Sequence, residues 1–66
     1  MPMNKSEFVR LLGVMLMFAG EEVQQCFLDE EETHVYIVFN SGYTKKVNIE
    51  CDSHLAIIRD VTGALL

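Results

Sequence analysis

Apolar and polar residues follow each other along this chain with two different periods, and the changes of period divide it into five segments. The first segment repeats at helical spacing. Phe8, Leu11, Leu12, Met15, Leu16, Phe18 and Ala19 form a wide apolar stripe. Asn4 and Glu7 have the spacing of a capping box, in which each side chain takes up a free backbone N–H near the other, so a helix is predicted to begin near Lys5. Gly20 supplies its left-handed stop. Gly13, in its interior, is worth about 1 kcal/mol less than alanine there and marks a close approach to a strand. Met3, Met15 and Met17 read as flexible core filler.

Beyond Gly20 the period shortens to two. Val23 to Leu28 reads as a short strand whose inward face the pattern leaves open. Asp29, Glu30, Glu31 and Glu32 then make a charged turn that stays in water, because burial without partners is prohibitive. Thr33 to Phe39, dense in β-branched and aromatic residues, is the clearest strand in the chain. Asn40, Ser41 and Gly42 form a turn, and Tyr43 to Glu50 alternates as a third strand.

The length of that turn follows from the pattern itself. A two-residue loop would set Phe39 against Thr44, Ile37 against Lys46 and Val35 against Asn48, pairing apolar with polar on every rung. A three-residue loop pairs Phe39 with Tyr43, Ile37 with Lys45 and Val35 with Val47, and places Gly42 where a left-handed residue is needed. The second register is predicted. It gives a core face of Val35, Ile37, Phe39, Val47 and Ile49, and a back face of His34, Tyr36, Val38, Thr44, Lys46, Asn48 and Glu50.

Asp52 or Ser53 caps a last helix in which Leu55, Ile58, Val61, Thr62, Leu65 and Leu66 recur at helical spacing, and Gly63 weakens its final turn. The expected architecture is α+β, ordered α-β-β-β-α, a three-stranded antiparallel meander with two helices packed on one face, all within a single domain covering residues 1–66.

Size and charge restrict what such a domain does. A chain of 66 residues buries only roughly 60% of its unfolded surface, so a protein partner or a homodimer is expected to complete it. The net charge of −5 and pI near 4.7 repel phosphate backbones, which argues against direct nucleic-acid binding. Cys26 and Cys51 provide no disulfide framework, and on the two outer strands they fall roughly 9 to 10 Å apart, too far for a bond. Reduced thiols and a cytoplasmic setting follow. The apolar run Leu11 to Ala19 is too short to span a bilayer. Its length suits a signal-peptide core, but Glu7 in the basic region and Met17 near the cleavage point oppose that reading.

Candidate chemistry is sparse. Cys26, Cys51, His34 and His54 lack the close paired spacing of a structural zinc site, and no Cys–His pair comes with an orienting third group, so no metal, cofactor or catalytic residue is expected. The order of elements, a histidine entering the second strand, and the ending Ala56-Ile57-Ile58-Arg59-Asp60-Val61-Thr62-Gly63-Ala64-Leu65 resemble the layout of small toxin ribonucleases of the HicA type. The resemblance implies an RNA-cleaving domain with His34 as its catalytic residue. It is limited to layout, since the chain is acidic where that family is basic and Thr33 replaces the glycine before the histidine.

Two features point instead to protein binding. Glu21 and Glu22 stand at one end of the first strand and Asp29, Glu30, Glu31 and Glu32 at the other, roughly 20 to 25 Å apart at about 3.3 Å per residue, a spread able to imitate backbone phosphates toward a nucleic-acid-binding protein. Tyr36 and Val38, with His34, Lys46 and either Phe27 or Leu28, make an exposed apolar cluster on the back of the sheet. The leading expectation is a non-enzymatic acidic binding module, such as a phage or mobile-element inhibitor acting by protein contact or nucleic-acid mimicry. A small RNA-binding or RNA-cleaving domain and a homodimeric regulatory subunit are the alternatives.

Overall fold

A computed structural model describes residues 3–50 and 53–65. Helix α1 (Lys5–Phe18) precedes strands β1 (Val23–Leu28), β2 (His34–Phe39) and β3 (Thr44–Asn48), and helix α2 (His54–Ala64) follows them. The strands form one antiparallel sheet in the order β1-β2-β3. One buried cluster joins Val9, Leu12 and Leu16 of α1, Ile57 and Val61 of α2, and Val23, Cys26, Val35, Ile37 and Ile49 of the sheet. Both helices therefore cover the same sheet face, as the pattern predicts.

Local signals set the ends of the elements. Asn4 Oδ1 accepts the Glu7 N–H at 2.8 Å and Ser53 Oγ accepts that of Ala56 at 3.2 Å, each capping a helix start. α1 closes on Gly20 at φ +81, with the Glu21 N–H donating to the Leu16 carbonyl and the Gly20 N–H to that of Met17. The hairpin turn has the predicted length. Phe39 N–H donates to the Tyr43 carbonyl, Gly42 N–H donates back to Phe39, and Gly42 takes φ +95. Val35 then faces Val47, and Ile37 faces Lys45.

β1 departs from simple alternation. Val23 pairs with Phe39 but Gln25 pairs with Val38, so Gln24 is an extra residue in a bulge. The bulge lets Val23 and Cys26, three positions apart, both point into the core. It also turns Phe27 to the back, settling the choice between Phe27 and Leu28: Leu28 packs against the core.

The helical stripes have the predicted period with a different phase. On α1 the buried residues are Val9, Leu12, Gly13 and Leu16. Leu11, Met15 and Phe18, expected inward, are 44%, 59% and 83% exposed. Met17, and Met3 just before the helix, are exposed as well, so these methionines are surface residues and not core filler. On α2 the core is served by Ile57, while Leu55, expected inward, is exposed. The cause is common to both: each helix carries more apolar residues than one face can hold, and contact with the sheet selects among them.

Gly13 earns its place by proximity. A Cβ there would lie 2.6 Å from the Cys26 backbone nitrogen and 3.0 Å from its Cβ, so any side chain would push α1 off β1. At the other side of the sheet, Lys45 Nζ donates to the Ala64 carbonyl at 2.8 Å, tying the end of α2 to β3 and placing a cation at its negative pole. The two helix starts are joined by His54, whose Nε2 donates to the Met3 carbonyl at 2.9 Å and whose ring meets Phe8 edge-on at 4.6 Å between centroids.

Candidate protein-binding surface

Because both helices occupy one face, the other face of the sheet is left open. The hairpin register puts His34 opposite Asn48, Tyr36 opposite Lys46 and Val38 opposite Thr44 on that face. The bulge adds Phe27 opposite Tyr36 and Gln25 opposite Val38. The result is a transverse row across all three strands. Phe27 stacks on Tyr36 with centroids 5.2 Å apart and planes 15° from parallel, and Lys46 Nζ lies 5.9 Å from the Tyr36 centroid. Phe27 is 40% exposed. The row thus presents an aromatic pair with a cation at one end, and Val38 beside it is partly buried.

At one corner of this face the β1–β2 turn is organised around Asp29. Its Oδ1 accepts the N–H groups of Thr33 at 2.8 Å and His34 at 3.1 Å, and its Oδ2 accepts the Thr33 hydroxyl at 2.8 Å. Partial burial would raise this carboxyl, but the hydrogen bonds from His34 and Thr33 outweigh it and hold the group at about 2. The Thr33 oxygen also lies 2.8 Å from His34 Nδ1. Since the hydroxyl proton is given to Asp29, Nδ1–H is the donor in that contact, and the lone pair of a neutral ring lies on Nε2. His34 Nδ1 is 3.5 Å from Asp29 Oδ2, with the imidazole about a quarter exposed at 27%.

The predicted site residues do not form one cluster. His34, Tyr36, Val38 and Lys46 share the open face, as the register requires. Glu21 and Glu22 lie beyond the end of α1, and Glu30, Glu31 and Glu32 lie in the β1–β2 turn; all five are exposed. Glu22 and Glu32 both have φ 59. This left-handed conformation disfavours a glutamate by roughly 1–2 kcal/mol relative to glycine. Phe27 is the member that the sequence left unassigned, and only the bulge brings it to the row.

Cys26 sits in the core, where burial pushes its thiol up to about 11 and leaves it a poor nucleophile. Cys51 and Asp52 lie outside the described residues, so the expected separation of the two cysteines and the Asp52 cap fall there too. Among the described residues no group of three or more His, Cys, Asp and Glu side chains is placed to hold a metal ion. No helix among them is long and apolar enough to cross a membrane. Comparison with protein-family models, with curated proteins and with solved structures finds no match for this chain.

Proposed function

We propose that this chain is a non-enzymatic binding module that docks a protein through the open face of its sheet, with the glutamates at the two ends of β1 steering a basic, nucleic-acid-binding partner. The observation that carries the reading is the Phe27–Tyr36 pair with Lys46 over it, a stacked aromatic row that neither helix covers. Aromatic side chains of this kind are the usual anchors of protein interfaces, because they bury large area with little loss of conformational freedom. The glutamates at φ 59 add weight. Glu22 and Glu32 occupy backbone positions that favour glycine or asparagine, so their charge is held there against a local conformational penalty, one at each end of β1.

The test uses two variants, both altered only at the surface. Tyr36→Ala removes half of the aromatic row, and Glu30→Lys/Glu31→Lys/Glu32→Lys reverses one acidic end. A partner captured by the wild-type chain from its native host is expected to bind Tyr36→Ala at least 10-fold more weakly, equivalent to about 1.4 kcal/mol or more. Loss in the triple variant should grow at low salt. Undiminished binding by both variants would defeat the proposal.

A second reading has an observation of its own. The Asp29–Thr33–His34 chain supplies an oriented imidazole with a free Nε2 lone pair, as a general base in RNA cleavage requires. RNA cleavage by the wild type that disappears in His34→Ala would establish it in place of the first. The net charge of −5 weighs on the other side.

A further inference from the structure

The outer side of α1 repeats the pattern of its inner side. Val9, Leu12, Gly13 and Leu16 face the sheet, and Leu11, Val14, Met15 and Phe18 follow the same i, i+3, i+4, i+7 spacing on the opposite side of the helix. Those four are 44%, 43%, 59% and 83% exposed. A helix that pairs with one sheet needs only one such stripe. The second is unpartnered, and from Leu11 to Gly20 no residue carries a charge.

We infer that this outer stripe is the contact surface between two copies of the chain, with the two α1 helices packed antiparallel. Charge selects the occupant. A chain of net charge −5 repels its own copy over most of its surface, and between Leu11 and Gly20 this stripe carries no charge, so two copies meet there with charge–charge contacts confined to the ends of α1. Charge also selects the direction. Lys5 and Arg10 lie at the N-terminal end of α1, Glu21 and Glu22 lie just past its C-terminal end, and the last turn carries no basic residue of its own. Antiparallel pairing sets the cationic end of one helix against the anionic end and negative pole of the other, whereas parallel pairing opposes like charges. With Leu11 against Phe18 and Val14 against Met15 of the second copy, Arg10 reaches the Glu21–Glu22 end. Glu7, one turn before Leu11, is the single charge at that end with the wrong sign.

The area sets the strength. Specific contacts range down to total buried areas below about 1,200 Å², and the outer half of a 14-residue helix, about 20 Å long, belongs to that smaller class. A reversible dimer follows. Its formation does not involve Phe27 or Tyr36, so it stands or falls separately from the proposed function.

Sedimentation equilibrium across a concentration series tests the inference. The wild type is expected to pass from the 7.5 kDa chain mass to twice that value as concentration rises through the micromolar range. Phe18→Glu should abolish the shift, Arg10→Glu should weaken association about 10-fold or more, and Glu7→Lys should tighten it. Tyr36→Ala should leave it unchanged. Circular dichroism of each variant confirms the fold, and the opposite signs at Arg10 and Glu7 cannot come from misfolding alone. A wild type monomeric at every concentration overturns the inference, as does a dimer indifferent to Phe18→Glu. So does a monomer that binds neutral phospholipid vesicles through Phe18, which would assign the stripe to a membrane surface.

Discussion

The two helices lie on the same face of one sheet and are held there by different means. α1 approaches β1 so closely that one added carbon at Gly13 would sit 2.6 Å from a backbone nitrogen. α2 buries Ile57 and Val61, has open space around Gly63, and is tied at its end by the Lys45 tether. A contact between backbones cannot relax by a rotamer change, while a helix held by a few side chains and a tether can shift to accommodate a new group. The α1–β1 seam is thus expected to be the unyielding half of the molecule, and α2 the half that opens first.

One substitution made in each helix gives the largest test of this contrast. Gly13→Ala should lower stability by about 1–3 kcal/mol, because forcing the backbones apart outweighs the helix-propensity gain of about 1 kcal/mol. Gly63→Ala should raise stability by about 0.5–1 kcal/mol, since nothing stands in its way and the unfolded chain loses freedom. Denaturant midpoints at unchanged slope measure both. Equal signs in the two helices would erase the distinction.

Lys45→Met should have a smaller effect. It keeps most of the apolar stem and removes the cation from the α2 terminus, for an expected loss of about 0.5–1 kcal/mol. Amide exchange should quicken in α2 and stay slow in α1. Exchange rising equally in both helices would mean that they open as one unit.

The smallest effect is confined to acid and concerns the loop that closes β1 against β2. Folding lowers the Asp29 carboxyl from 3.8 to about 2, so its contribution is fully present above the unfolded value and is lost as pH falls from about 4 toward 2. Thermal unfolding followed over that interval should show a decline in the wild type that is reduced in Asp29→Asn. An identical acid profile in the two proteins would show that the loop is not secured by this carboxylate.

How much of this was legible in the sequence depends on how many constraints act on each element. The hairpin was readable to the residue because two signals agree: alternation rejects the register that pairs Phe39 with Thr44, and Gly42 supplies the left-handed residue that the three-residue loop needs. The predicted back face of His34, Tyr36, Val38 and Lys46 followed from it. In α1 the period is equally plain, but the stripe it predicts omits Val9, which is buried, and includes Leu11, Met15 and Phe18, which are exposed. A helix apolar on opposite sides gives a period without a phase. The Asp29–Thr33–His34 chain carries no periodic signal, and nothing in the chain announced it.

The amino-acid sequence by itself determined the order of elements, the hairpin register and the close approach at Gly13, because each depends on neighbours along the chain or on a residue type with few conformational uses. Tertiary structure decided which side of α1 meets the sheet, and it placed the bulge at Gln24 that sends Phe27 to the open face. Those outcomes depend on which side chains fit together across elements distant in sequence, a competition among packings that the local pattern of polar and apolar residues leaves undecided.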